Sequence, residues 1–172
     1  MEEQVIVRGP AEGRTVLVGG GDYVTYKARS AETGGAYFCF EVRTTPGFGP
    51  PLHTHDYREL FYVLEGAYEF TVRRDDRLET FIGAAGTSVS IPPNVPHTFK
   101  NAGDRPARLL FIHQPAALEA FFEEFGVPVP RVGERPDNVQ PPDFAAMAAA
   151  LERNGVHVIR PEAMPERETS RP

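Results

Sequence analysis

Short runs of alternating apolar and polar residues fill the chain up to about residue 113. The runs are rich in Val, Phe, Tyr, Ile and Thr, and they are separated by Gly, Pro, Asp and Asn, which favour turns. The pattern predicts strands at residues 4–8, 15–18, 22–28, 36–43, 59–65, 67–73, 77–82, 87–91, 97–100 and 107–113. Many short strands with no helix between them favour an all-β antiparallel sandwich or barrel over a parallel sheet.

The pattern changes to a helical one after the last of these strands. The segment 115–126 places its apolar residues at i, i+3, i+4 and i+7 and ends at a glycine, as an amphipathic helix does. Those apolar residues are Leu118, Phe121, Phe122 and Phe125. We expect this helix to pack on the outside of the sheet.

The C-terminal part of the chain predicts a Pro-rich connector and one more helix. Residues 127–142 form the connector, and Asp143 is the expected N-cap of a helix that ends at Asn154 and Gly155. Its apolar face consists of Phe144, Met147 and Leu151. A short edge strand is expected at 156–159, and 161–172 reads as a polar, frayed tail. We expect one domain, with a barrel and its first helix in 1–126 and a Pro-rich extension in 127–172.

Composition narrows the class of protein further. The 172 residues carry a net charge of −6, so nucleic acid is an unexpected partner. The single cysteine cannot form an intrachain disulfide, which favours a reducing, cytoplasmic setting. No apolar stretch approaches the about 18 residues of a membrane span, and the N-terminus lacks the features of a signal peptide.

Three histidines and one glutamate form a candidate metal site. His53, His55 and Glu59 share a parity, so in an extended segment their side chains point to the same face. His97 begins another predicted strand after a polar turn. Three imidazole nitrogens and one carboxylate oxygen suit Fe, Mn, Co, Ni, Cu or Zn, whereas Ca and Mg prefer oxygen ligands. A closed site of thiolates is excluded because the chain has one cysteine.

The spacing around these residues resembles the two motifs of the cupin superfamily. The first motif reads Gly47, five residues, His53, one residue, His55, three residues, Glu59, six residues, Gly66. The second reads Gly86, five residues, Pro92, one residue, Asn94, two residues, His97, three residues, Asn101. Asn94 stands where the family usually has glycine. Asparagine tolerates the left-handed conformation, so we expect the turn to be retained.

The resemblance implies a single-barrel cupin jelly roll that holds a metal inside, carries its C-terminal helices outside and forms a homodimer. Within the superfamily, the sequence from Pro50 to His55 and from Ile91 to His97 resembles that of bacterial flavonol (quercetin) dioxygenase-like monocupins. In those proteins the three histidines and the glutamate hold a divalent metal, and the glutamate also serves as base. Many relatives have four residues between the second histidine and the glutamate, whereas this chain has three.

The predicted function is that of a metal-dependent dioxygenase. Its partners would be a small aromatic, flavonol-like substrate and O₂, with Glu59 as both metal ligand and base. Phe61 and Phe99 share parity with Glu59 and His97, so they either line the substrate pocket or belong to the barrel core.

Other interpretations of the same metal site stay open. It would also suit an isomerase, cyclase or decarboxylase of a carbonyl or polyketide-like substrate, or a non-catalytic cupin that binds a small molecule. Tyr57 is expected at the surface or rim, and His113 and His157 are expected to be structural.

Overall fold

The computed structural model describes residues 5–19, 21–137 and 139–159. Within them the chain forms twelve strands and two α-helices. The strands are β1 (Thr15–Val18), β2 (Asp22–Ala28), β3 (Phe38–Thr44), β4 (His53–His55), β5 (Arg58–Glu65), β6 (Ala67–Arg74), β7 (Arg77–Ala84), β8 (Ser88–Ile91), β9 (His97–Asn101), β10 (Ala107–Gln114), β11 (Val127–Val129) and β12 (Val156–Val158). The helices are α1 (Glu119–Phe125) and α2 (Phe144–Arg153), and Ser30–Glu32 form a 3-10 turn.

The strands form two antiparallel sheets. One has the order β11-β1-β2-β3-β10-β5-β8, and the other has the order β12-β4-β9-β6-β7. Aromatic rings of both sheets meet in a shared core: the ring centroid of Phe99 on β9 lies 5.3 Å from that of Phe61 on β5 and 5.4 Å from that of Phe111 on β10. The prediction of an all-β barrel with helices outside is confirmed.

Alternation along the central strands decides which side chains enter this core. On β5 Glu59, Phe61 and Val63 are buried, whereas Leu60 and Tyr62 between them are exposed. Successive side chains of a strand point to opposite faces, so a parity read from the sequence specifies a face of the sheet. The predicted parity of Glu59 with Phe61 is therefore confirmed.

Helix α1 is shorter at its N-terminus than the predicted segment. Leu118 has a left-handed backbone conformation (φ 69°), which an α-helix cannot contain, so the helix begins at Glu119. Its apolar face is as predicted, with Phe121 and Phe122 buried and Leu118 and Phe125 packed against the core. The ring centroid of Phe122 lies 5.2 Å from that of Phe40 on β3.

Helix α2 begins where its cap predicts, and its predicted apolar face packs against the core except at Phe144. The Asp143 carboxylate accepts a hydrogen bond of 3.0 Å from the Ala146 backbone N–H. Ala150 is buried, and Met147 and Leu151 pack against the core. Phe144 was expected on that face and is instead 68% exposed.

The N-terminal strand prediction at 4–8 is wrong for its described residues, 5–8. Val5 and Val7 are exposed, and Arg8 is held by its side chain, which donates 2.7 Å to the Lys27 carbonyl. The sheet position beside β1 belongs instead to β11, from within the Pro-rich connector, where no strand was expected. Alternation of apolar and polar residues over only five positions does not show which segment of the chain will pair with the edge of a sheet.

The C-terminal extension supplies one edge strand to each sheet. β11 pairs with β1, and β12 pairs with β4, which confirms the edge strand expected near 156–159. The predicted tail at 161–172 lies outside the described residues, and the division of the domain at residue 126 stays a prediction.

A partly buried carboxylate makes the fold's stability depend on pH. Burial raises the pKa of Asp22 to about 6, against the lowering effect of hydrogen bonds from Thr45. The native state therefore binds more protons than the unfolded chain between about pH 4 and pH 6, and stability falls as pH rises through that range. Asn stays neutral and keeps the acceptor for the Thr45 N–H. We expect Asp22→Asn to gain about 1 kcal/mol over wild type at about pH 7.5 and little at about pH 4.

Urea unfolding at the two pH values measures this difference. Asp104→Asn is the control, because it removes the same charge from an exposed side chain. A gain for Asp22→Asn that is equal at both pH values would contradict the assignment.

Candidate metal centre

Both sheets contribute to the predicted metal site. β4 carries His53 and His55, β9 carries His97, and β5, from the other sheet, carries Glu59. One potential ligand atom from each residue lies within 4.8 Å of the other three, and all four side chains are buried. The structure therefore brings together the four residues that the sequence singled out, between the two sheets.

The loop before β4 is held against β9 by main-chain contacts. The Gly47 N–H donates to the Asn101 carbonyl at 3.0 Å, and the Asn101 N–H donates to the Phe48 carbonyl at 2.9 Å. A Cβ on Gly49 would lie 1.8 Å from the Phe99 carbonyl oxygen, so only glycine permits this approach. These contacts fix the point at which β4 begins.

The turn before His97 keeps the conformation that the family motif assigns to glycine. Asn94 has φ 63°, in the left-handed region, as expected. Its N–H donates a 2.7 Å hydrogen bond to the His55 carbonyl. Asn94 therefore ties the turn before β9 to β4, and so His97 to His55.

Backbone carbonyls fix the tautomer of all three histidines. In each ring Nδ1 lies 2.8–2.9 Å from a carbonyl oxygen two residues away. The pairs are His53 with Pro51, His55 with Tyr57, and His97 with Val95. Because a carbonyl oxygen only accepts, Nδ1 carries the proton and Nε2 of the neutral ring has a free lone pair. Three neutral Nε2 atoms are thus available as metal ligands.

The carboxylate of Glu59 completes the donor set. Its Oε2 lies 2.9 Å from Nε2 of His97 and 3.1 Å from Nε2 of His55. With Nδ1 protonated, these contacts place lone pairs of neutral rings against a carboxylate oxygen, which is repulsive unless a cation lies among them. The four residues therefore fit a divalent first-row transition metal.

Charge and burial favour the protonation states of Glu59 and His53 that can bind a metal ion. Complete burial by itself raises the pKa of Glu59, but opposing effects, of which the hydrogen bond and charge of His113 are the largest, hold that pKa well below its usual range. Burial, together with His97, lowers the pKa of His53 to about 4. An ionised carboxylate and a neutral imidazole are the forms that bind a metal ion.

The two phenylalanines predicted near the site lie in the aromatic core beside it. The ring centroid of Phe61 is 6.1 Å from that of His97 and 5.3 Å from that of Phe99. Both side chains are buried, so the core position that was left open for them is the observed one. Their contact with a substrate stays a prediction.

Two residues near the site were assigned differently from the sequence. Tyr57 was expected at the surface or rim, but it is buried, and its ring stacks on that of His55 at 3.8 Å. His113 was expected to be merely structural, but its Nε2 lies 2.7 Å from Oε1 of Glu59. Its parity with Ala107, Leu109 and Phe111 on β10 was the available signal, because it places His113 on the inner face.

Comparison with protein families identifies the fold. The sequence profile of the family described as "Cupin domain" matches residues 40–113, which include both motifs. The chain has a cupin fold. This match and the similarity to an RmlC-like cupin both agree with that fold. No curated protein sequence matches the chain.

Solved cupin structures resemble the chain at low sequence identity. An oxalate decarboxylase aligns with a TM-score of 0.54 and 18% identity over 66% of this chain and 31% of its own. An RmlC-like cupin from Shewanella frigidimarina aligns with a TM-score of 0.53 and 22% identity over 69% of this chain and 96% of its own. A deletion mutant of the Bacillus subtilis oxalate decarboxylase aligns with a TM-score of 0.54 and 18% identity, over 68% of this chain and 32% of its own. The chain thus spans about a third of the oxalate decarboxylases, and these likenesses show the fold alone.

Helices of membrane-spanning length and hydropathy are absent from the described part of the chain. The expected homodimer, the cytoplasmic location and the absence of a nucleic-acid partner stay predictions.

Replacing Gly49 tests the close approach of the loop to β9. We expect Gly49→Ala to lower the free energy of unfolding by about 2–3 kcal/mol, because the added Cβ meets the backbone of Phe99. Gly47→Ala is the control: its Cβ has open space, so it loses only about 1 kcal/mol from its left-handed backbone. Urea unfolding measures both variants, and equal losses would contradict the contact.

Removing a histidine tests the ligand assignment. We expect His97→Ala to lower metal affinity by more than about tenfold, because one of four ligands is lost, while the apolar core keeps the barrel folded. Elemental analysis of the purified protein, with circular dichroism for the fold, measures both effects. His157→Ala is the control, since His157 is an exposed histidine that pairs with Glu152. Full metal occupancy in His97→Ala would show that the assignment is wrong.

Proposed function

We propose that this cupin is a metal-dependent dioxygenase that cleaves a small aromatic, flavonol-like substrate through its hydroxyl or enol oxygen. The observation that carries the proposal is the buried set of three imidazoles and one carboxylate, His53, His55, His97 and Glu59, with a ligand atom of each within 4.8 Å of the others. When bound there, a divalent transition metal (Fe, Mn, Ni, Co, Cu or Zn) supplies Lewis acidity and, if redox-active, electron transfer to O₂.

The protein's first task is to hold the metal and leave it accessible. Four protein ligands do not fill a five- or six-coordinate shell, so a substrate oxygen can bind as well. The backbone hydrogen bonds to the three Nδ1 atoms keep each ring aimed without any movement on binding.

The second task is to accept the substrate's proton, and we assign it to Glu59. Its carboxylate is ionised, which is the form that can take a proton from a hydroxyl group. Oε1 is bonded to His113, so Oε2, which faces the other ligands, would serve both roles: it would bind the metal and, on moving partly off it, receive the proton.

The third task is to keep water away from the reaction. In the aromatic core beside the ligands, the rings of Phe61, Phe99 and Phe111 lie in mutual contact, with centroids 5.0–5.4 Å apart. Above His55, the stacked ring of Tyr57 covers one face of a ligand. Apolar surroundings of this kind strengthen the interactions of charged groups within them.

A second candidate is an isomerase, cyclase or decarboxylase that acts on a carbonyl or polyketide-like substrate. The neutral ring of His53 and the ionised Glu59 provide bases beside a Lewis acid without any need for O₂. A non-catalytic cupin that binds a small molecule would use the same donor set.

The base role predicts a specific effect of Glu59→Gln. The amide oxygen can still face the metal, but it cannot accept the substrate's proton. We expect the metal to be retained and O₂ uptake with a flavonol to fall by at least about 100-fold. An oxygen electrode and elemental analysis measure the two quantities. Glu65→Gln, at the end of the same strand, is the control because that carboxylate is exposed.

Several outcomes would contradict the proposal. Metal-loaded wild type that consumes no O₂ with any flavonol or related polyphenol would overturn the dioxygenase. Turnover of a carbonyl substrate by the zinc protein without O₂ would establish the second candidate. Loss of metal from Glu59→Gln would leave Glu59 a ligand only.

A further inference from the structure

His113 lies directly beside the metal centre without belonging to its donor set. It is near the end of β10 and opposite Glu59 on β5 in the antiparallel register. Its side chain is 1% exposed, and its ring lies edge-on to Phe40, with centroids 5.0 Å apart. The ring of Tyr57 lies 4.8 Å away. Packing from these rings restricts the imidazole to one orientation.

The two carboxylate oxygens of Glu59 have different contacts. Oε1 lies 2.7 Å from Nε2 of His113, whereas Oε2 lies 2.9 Å from Nε2 of His97 and 3.1 Å from Nε2 of His55. Nδ1 of His113 lies 3.2 Å from the Ala117 carbonyl, so the shorter contact of this ring is the one at Nε2. We therefore assign the ring proton to Nε2, which donates a charge-assisted hydrogen bond to Oε1. One oxygen is thus held by the protein and the other faces the proposed ligands.

This division controls how a carboxylate binds a metal ion. A carboxylate can offer one oxygen or both, and the choice changes the number of positions left for substrate. A hydrogen bond to Oε1 opposes rotation of the carboxylate, so that only Oε2 reaches the ion. Burial adds to the effect, because an oxygen without a partner in the core is destabilising.

We infer that His113 is a positioning residue that keeps Glu59 bound through Oε2 alone. The inference rests on the proposed metal centre, because it concerns how Glu59 meets the ion. Without His113, the carboxylate turns to satisfy Oε1 elsewhere, and both the affinity and the geometry of metal binding change. Hydrogen-bond partners of metal ligands have effects of about 10- to 100-fold on affinity.

Three substitutions separate this role from simple packing. His113→Phe keeps a ring among Phe40 and Tyr57 but removes the donor. His113→Gln places an amide N–H near the position of Nε2 and restores the donor. His157→Phe is the matched control, because it removes an exposed histidine far from Glu59 in the chain.

Co²⁺ is the probe, because it reports both affinity and coordination without turnover. Competition with a chelator gives the dissociation constant, and the visible absorption of bound Co²⁺ reports the coordination number. We expect His113→Phe to weaken Co²⁺ binding by at least about tenfold and to change the absorption spectrum. His113→Gln should return both toward wild type, and His157→Phe should leave both unchanged.

The outcomes distinguish this inference from the proposed function. Wild type that binds no Co²⁺ would overturn the metal centre and the inference with it. Wild-type affinity and spectrum in His113→Phe would overturn the inference alone. If His113→Phe fails to fold, His113→Asn replaces it, since its shorter amide falls short of Oε1. Equal Co²⁺ binding by the Asn and Gln variants would then overturn the inference.

Discussion

The carboxylate of Glu59 lies in the interior of the barrel, where an unpaired negative charge is strongly unfavourable. Imidazole nitrogens surround it: His55 and His97 face one oxygen, and His113 faces the other. The contact with His113 is the largest effect that opposes burial, and the pKa of the group is held well below its usual range, so it stays ionised. The positions of four strands, β4, β5, β9 and β10, are tied together by this one charge.

Backbone carbonyl groups near the site hold each of the three ligand imidazoles in place by hydrogen bonds. The carbonyls of Pro51, Tyr57 and Val95 take the Nδ1 protons, and the Asn94 turn bonds to the carbonyl of His55. The site is therefore preorganised for a metal ion, as sites built on strands tend to be.

Much of this arrangement follows from the sequence, because alternation in strands and motif spacing are local properties. The convergence of His53, His55 and Glu59 and the turn at Asn94 were predicted correctly. The single strand face expected for the first three is wrong, because β4 and β5 lie in different sheets. The position of His113 was not, because it depends on which strand lies beside β5, and β10 is far from β5 in the chain. Dependence on distant parts of the chain also explains why β11 was not predicted, since its place at the sheet edge depends on β1. In the same way, the exposure of Phe144 depends on where α2 lies.

Anomalous X-ray diffraction from crystals of the metal-loaded protein, recorded at the absorption edge of the metal, tests the central claim most directly. We predict one strong peak about 2.0–2.3 Å from Nε2 of His53, His55 and His97 and from Oε2 of Glu59. No peak among these four residues, or one bound through other side chains, would contradict the account.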